Sequence, residues 1–221
     1  MYIQLWHSRD VSPRAYNSPT RVVAATKTRA RIISAAAAIL STAEGIRGFS
    51  LQAVADKASV TRLTVYNQFG SRRALLEAVF DDMAARGGLH RIPAVMAGPD
   101  PQTGLLNVIA IFCDFWSFDP DALDPLYAAG ASDPEFGASV RERNERRRRL
   151  ISVLVRRMAK DCKLRPKVVG DLIDVLFALT SFPFFLQLTT GGRPAVAVCS
   201  LIQGLAMDAM RRAMKREMHR L

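Results

Sequence analysis

"SVTRLTVYNQFGSRRALL", residues 59–76, decides how the chain is read. Thr61 is placed to cap a short helix over 62–69, Gly70 to stop it and Ser71 to cap the next. Arg72 and Arg73 then fall in a first helical turn. The partial positive charge of a helix start disfavours cations there by about a few tenths of a kcal/mol. Two arginines at that place call for an anion. The free N–H groups of a helix start also attract anions, so a phosphate group is the partner this spacing suggests.

Working outward, Ser50 can cap a helix running to about Ala58, with Leu51, Val54 and Ala55 inward. Ser59-Val60 makes a tight turn into 62–69. Two short helices so joined form a helix-turn-helix, whose second helix enters the major groove. Val60, Val65 and Phe69 face the core of that unit. Arg62, Leu63, Thr64, Asn67 and Gln68 are left outward, with no acid among them. Arginine pairs with guanine, Asn and Gln pair with adenine, and Leu63 can meet a thymine methyl. Tyr66 can give its hydroxyl to a phosphate while its ring packs on the domain. Before this unit, Ile32, Ala36, Ile39 or Leu40, and Ala43 repeat at helical spacing over 28–44. After it, Leu75, Leu76, Val79, Phe80 and Met83 continue a helix to Gly87-Gly88.

"FSLQAVADKASVTRLTVYNQFGSRRALLEAV" resembles the DNA-binding signature of TetR-family bacterial transcription regulators. The matching elements are Phe49, Val54-Ala55, Ala58, Val60, Thr61, Thr64-Val65-Tyr66, Phe69, Ser71-Arg72 and Leu75-Leu76. The resemblance implies a homodimer, a three-helix DNA-binding domain and a helical domain that binds a small-molecule effector. It implies phosphate contacts from Thr61, Tyr66 and Arg72, with Arg73 adding charge beside them. It places Gln52, Arg62, Leu63, Thr64 and Asn67 at or near bases. It also implies that ligand binding moves the helix over 71–87 and so changes the separation of the two reading helices. Three positions depart from the pattern. Ser59 stands where glycine is common, Leu63 where a small residue is common, and Arg73 where an acid is common. A non-glycine residue at 59 implies left-handed backbone or a different turn.

The rest of the chain reads as helix throughout, over 102–117, 121–130, 134–162, 166–190 and 194–219, with a Pro-rich linker over 91–102. The expectation is an all-α protein with a flexible arm (1–26), a helix-turn-helix domain (27–88) and a larger ligand-binding and dimerisation domain (89–221). Phe112, Phe115, Trp116, Leu126, Tyr127, Phe177 and Phe182 are the candidates for a pocket between helices, which points to an apolar or aromatic effector. Leu172, Leu176, Leu179, Ile202, Leu205 and Met210 are the candidates for a dimer surface built as a four-helix bundle. "RERNERRRRLI", 141–151, reads as a solvated helix face carrying Glu142–Arg146 and Glu145–Arg149 pairs.

The totals agree with this. The 221 residues carry a formal net charge of +11 and a pI near 10.3, which suits a nucleic-acid partner. Between Lys27 and Arg73 there are eight basic residues and two acids, Glu44 and Asp56, more than half of that surplus. Cys113, Cys162 and Cys199 are too widely spaced for a disulfide framework or zinc site and read as buried thiols in a cytoplasmic setting. His7, His90 and His219 form no metal-spaced set, and no nucleotide loop or nucleophile elbow is present. No cofactor, metal or catalytic activity is expected. Residues 172–188 are apolar, but Asp174 and Pro183 argue for a helix buried in protein and against a membrane partner. The functional expectation is a regulator, by resemblance a repressor, that binds a near-palindromic double-stranded DNA operator as a dimer. The alternative left open is a helical small-molecule-binding or assembly module without an operator.

Overall fold

Helix α1, Pro19–Leu40, buries Ile32, Ala36, Ile39 and Leu40, one stripe of an amphipathic helix. It begins at Pro19, nine residues before the helix expected from residue 28, so residues 19–26 of the expected arm are helical, and it ends at Leu40, short of the expected 44. Proline's fixed φ suits a first turn. Val22 and Val23 remain 55% and 54% exposed, because the first turns extend past the core and have no face to bury. Periodicity appears in sequence only where a helix has something to pack against. The structure is a computed structural model that describes residues 19–162 and 164–218. The remainder of the expected arm, residues 1–18, lies outside the described residues.

Three capped helices follow: α2 (Leu51–Lys57), α3 (Arg62–Phe69) and α4 (Arg72–Arg86). A 3-10 turn at Leu89–Arg91 leads into α5 (Ile92–Met96). The segment 91–102 was expected as an irregular linker. Instead it holds α5 and a turn gathered by one guanidinium. Arg157 donates to the carbonyls of Met96, Gly98 and Pro99 at 3.2, 2.7 and 3.0 Å. Those carbonyls belong to a helix end and a turn, where no backbone donor is available to them.

The larger part consists of α6 (Pro101–Phe118), α7 (Pro120–Ser132), α8 (Pro134–Cys162), α9 (Pro166–Leu179), α10 (Phe182–Thr189) and α11 (Ala195–Met218). No strand occurs among the described residues. The single helix expected over 166–190 is two, bent by 51°. Pro183 supplies no N–H and its ring excludes a helical carbonyl at Leu179. Ser181 restarts the helix by capping the Phe184 N–H. The carbonyl freed at Thr180 accepts the buried Trp116 indole N–H at 3.0 Å. No single described helix is long and apolar enough to cross a membrane. Of the cysteines, Cys113 is buried, Cys199 half-buried and Cys162 exposed, so burial holds fully for the first alone. Desolvation pushes the Cys113 thiol well above its ordinary range.

One hydrophobic core runs from Ile32 to Ala213 through both parts of the chain. Helix α4 is its shared wall, with Leu75, Leu76, Val79, Phe80 and Met83 all buried. Phe80 meets Phe115 of α6 edge-on at 5.7 Å. Helices α7 and α8 approach backbone to backbone, since a Cβ on Gly137 would overlap the Gly130 carbonyl oxygen. Gly137→Ala should therefore destabilise the fold by about 1–3 kcal/mol in urea unfolding. Gly170, a helical glycine with nothing within 4 Å of its Cβ position, should show the opposite sign. Gly170→Ala is expected to stabilise by about 0.5–1 kcal/mol.

Candidate nucleic-acid interface and helix-bundle cavity

Three hydroxyl caps fix the helix-turn-helix. Ser50 Oγ accepts from Ala53 N–H at 3.0 Å, Thr61 Oγ1 from Thr64 N–H at 3.1 Å, and Ser71 Oγ from Ala74 N–H at 3.0 Å. Between the first two caps the chain turns on Ser59, whose φ is 52°. Ser59 N–H bonds the Asp56 carbonyl and Val60 N–H bonds the Ala55 carbonyl. That pair of bonds is a Schellman motif, with serine at the left-handed position that glycine usually fills. At the far end of α3, Arg29 from α1 donates to the Gln68 carbonyl at 2.9 Å and lies 4.3 Å over the Phe69 ring. A cation at a helix C-terminus is favourable.

With α3 so held, Val65 and Phe69 are buried and Val60 is half-buried. Thr61, Arg62, Leu63, Tyr66 and Asn67 are exposed, and Thr64 and Gln68 are half-covered. Leu63 is 65% and Tyr66 56% exposed. A leucine left in water on the same face as Arg62 and Asn67 is a surface that lacks its partner. Gln52, on α2, is also exposed and gives its amide to Asp56 at 2.8 Å.

Arg72 and Arg73 have anionic partners within the chain. Sequence reading made phosphate the anion they call for, yet the chain supplies carboxylates of its own. Arg72 donates to the Phe49 carbonyl at 3.3 Å, lies over the Phe49 ring and sits 3.8 Å from Asp133. Arg73 pairs with Glu77 at 3.7 Å and with Glu135 at 3.2 Å. Asp133 and Glu135 stand at the start of α8, where Asp133 accepts the Glu135 and Phe136 N–H groups. Two helix N-termini thus face each other, with acids on one and arginines on the other. At their partial exposure each pair is worth about 0–1 kcal/mol, little enough for phosphate to compete with. A short stretch of sequence around residue 72 cannot show a partner sixty residues away.

A cavity of about 230 Å³, open to solvent on the side of Asp81 and Arg146, lies between α4, α6, α7 and α8, with Leu89 and Ile92 also in its lining. Phe112, Phe115, Trp116 and Tyr127, four of the seven pocket candidates, line it. Leu126 and Phe182 are fully buried packing residues outside the lining, and Phe177 lies beneath the Arg147 guanidinium at 4.4 Å. The lining also contains Phe80, Asp81, Arg143, Asn144, Arg146 and Arg147, which the sequence reading missed. The run 141–151 is therefore no simple solvated face. Glu142–Arg146 does pair in solvent at 2.7 Å, but Arg147 is only 4% exposed. Arg143 and Arg147 fall on the stripe of α8 that carries Phe136, Val140, Ile151, Leu154 and Val155, all buried. That interruption of an apolar stripe by arginines was the available signal. Arg143 lies 4.7 Å over Phe80 and pairs with Asp81 at 2.6 Å, both on α4.

The expected dimer surface also changes. Leu172, Leu176, Ile202 and Met210 are buried in the chain's own core, because α9 and α11 spend that stripe on α6 and α8. Leu205 is exposed and Leu179 half-exposed. With Val168, Val175 and Ala209 they line an outward groove of about 320 Å³ bordered by Asp171, Asp208 and Arg212.

Residues 32–79 match the family model described as bacterial regulatory proteins of the tetR family. The N-terminal domain is a TetR-family DNA-binding domain. No curated protein matches the chain. Among solved structures it is similar to a TetR-like transcriptional regulator from Rhodococcus sp. RHA1, at 20% identity over 83% of this chain and 96% of that one, with a TM-score of 0.59. A regulator of the TetR/AcrR family from Thermobifida fusca gives 20% identity, 81% and 96% coverage and a TM-score of 0.59. A protein from Mesorhizobium loti assigned to the same family gives 18%, 85% and 96%, and 0.62. These likenesses carry the TetR fold beyond the matched domain. TetR-family regulators bind DNA, typically act as dimers and are not enzymes.

Ser59→Gly should stabilise the protein by about 1 kcal/mol, since the left-handed conformation costs a residue with a Cβ about that much. Chemical denaturation of both forms measures it. For Arg72, alanine substitution should flatten the salt dependence of DNA affinity by about one unit if the guanidinium leaves Asp133 for phosphate. An unchanged slope would assign Arg72 to Asp133 in the bound state as well.

Proposed function

We propose that the chain is a ligand-responsive transcription regulator that binds a near-palindromic operator as a homodimer, acting as a repressor that a small effector releases. The observation that carries the reading is the exposed, acid-free face of α3, presented by a TetR-type domain and flanked by the capped start of α4. In this reading Arg62, Leu63, Thr64 and Asn67 meet bases, with Gln52 beside them. Thr61, Tyr66 and Arg72 hold phosphates, with Arg73 close by. The outward groove on α9 and α11 is the surface offered to a second copy. Asp171, Asp208 and Arg212 at its border are of opposite sign, which suits pairing across a two-fold axis.

Helix α4 supports the coupling. It forms one wall of the cavity through Phe80, Asp81 and Ala84, and its first turn holds Arg72 and Arg73 beside α3. A ligand that fits the cavity with α4 in one position better than in another shifts α3 by the difference between those two affinities. The distance between the two reading helices of a dimer changes with it, and DNA of fixed pitch then discriminates the two states.

Selection of the full-length protein against random double-stranded DNA tests the reading. An inverted repeat with half-sites about one helical turn apart is expected. Asn67→Ala should change which base is enriched at one position of each half-site, at a cost of about 1–3 kcal/mol for the original sequence. Val175→Glu combined with Leu205→Glu should give a monomer in sedimentation that no longer binds the selected site. Enrichment of no sequence would leave the chain as a helical ligand-binding module.

A further inference from the structure

Among the described residues Arg147 has no counter-charge. It is 4% exposed, and among the described residues no carboxylate pairs with it. Its hydrogen bonds are two long ones, to Thr180 Oγ1 and Asn144 Oδ1, both at 3.4 Å. Its Nε–H has no partner at all. A guanidinium carries five N–H donors, so most of its capacity is idle. The flat face rests on Phe177 at 4.4 Å, with Phe112 at 5.9 Å, which fixes the orientation of the fork without neutralising it. Burial pushes its pKa down to about 10, so it remains a cation at neutral pH. A buried charge without a partner is among the costliest arrangements a fold can keep.

The neighbouring charges are already committed. Asp81 is the one carboxylate in the lining, and it faces Arg143. Arg146 faces Glu142. The lining thus holds three arginines against a single acid, and the arginine without a partner is the most deeply buried. Around it stand the rings of Phe80, Phe112, Phe115, Trp116 and Tyr127. A cavity of about 150 Å³ accepts a benzene ring, so 230 Å³ has room for one ring and a carboxylate.

We infer that this cavity takes a small organic anion, a one-ring aromatic carboxylate whose carboxylate lies on the Arg147 fork and whose ring lies among Phe112, Phe115 and Trp116. The inference rests on the reading of the cavity as the effector site and replaces a purely apolar effector with an acidic one. Forked guanidinium and carboxylate match in geometry, and the aromatic rings beside the buried fork strengthen the pair by lowering the local dielectric. Such a ligand supplies the charge that the chain withholds. It also lies against Phe80 of α4, the helix that the regulator reading requires to move.

Calorimetric titration of the full-length protein with benzoate and phenylacetate, against benzyl alcohol and 2-phenylethanol, tests this. Each carboxylate should bind at least ten-fold more tightly than the alcohol of matching shape. Arg147→Met should abolish that preference, and its unliganded melting temperature should not fall below that of the parent, because the substitution removes an uncompensated charge. Arg147→Lys, which keeps the charge but loses the fork, should weaken the carboxylates at least three-fold and serves if the methionine variant does not fold. Absence of carboxylate binding, equal affinity for acid and alcohol, or unchanged affinity in the variant that folds overturns the inference. DNA selection on the same preparation separates the two readings. A selected operator with no carboxylate binding defeats the acidic effector alone, whereas carboxylate binding with no operator defeats the regulator and leaves the site.

Discussion

Helix α4 has no free apolar face. Leu75, Leu76, Val79, Phe80 and Met83 are all buried, against the helix-turn-helix at one end and against α6 at the other. Two cores thereby become one. A helix that completes two cores cannot be displaced without both responding, since packed interiors tolerate few intermediate arrangements. The reading helix, the cavity and the charged first turn of α4 all take their positions from this one constraint.

Guanidinium groups make the remaining long-range connections. Arg29 closes the end of α3, Arg157 gathers the turn before α6, Arg143 ties α8 to α4, and Arg148 reaches Asp174 on α9. The chain is basic partly for that reason. Its charge serves the inside of the fold as well as any surface offered to an anion, and a net charge of +11 alone would have misled about where the cations are spent.

The helix-turn-helix was legible residue by residue, because caps and turns are local. Ser50, Thr61, Ser71 and Gly70 each act within four residues of their own position, and the left-handed backbone at Ser59 follows from the same short range. What the sequence concealed was partnership at a distance. Arg72 and Asp133 lie sixty-one residues apart, and nothing in either stretch announces the other. Likewise Leu172 and Ile202 have the spacing of an interface, but spacing cannot say whether the facing helix belongs to the same chain. The arginines of α8 were hidden by a habit of reading charge as surface. Their position on the buried stripe with Val140 and Ile151 was the visible sign against that reading.

The crossing of Gly130 with Gly137 has a kinematic consequence. The two helices touch backbone to backbone there, with only the Val140 side chain packed beside Gly130, so little play is left between α7 and α8. By contrast, α4 meets them through arginines and aromatic rings, which are long and can swing. A load placed in the cavity therefore has a stiff side and a compliant side. In the proposed regulator reading, an effector would press on α4 from a wall that the glycine contact keeps firm.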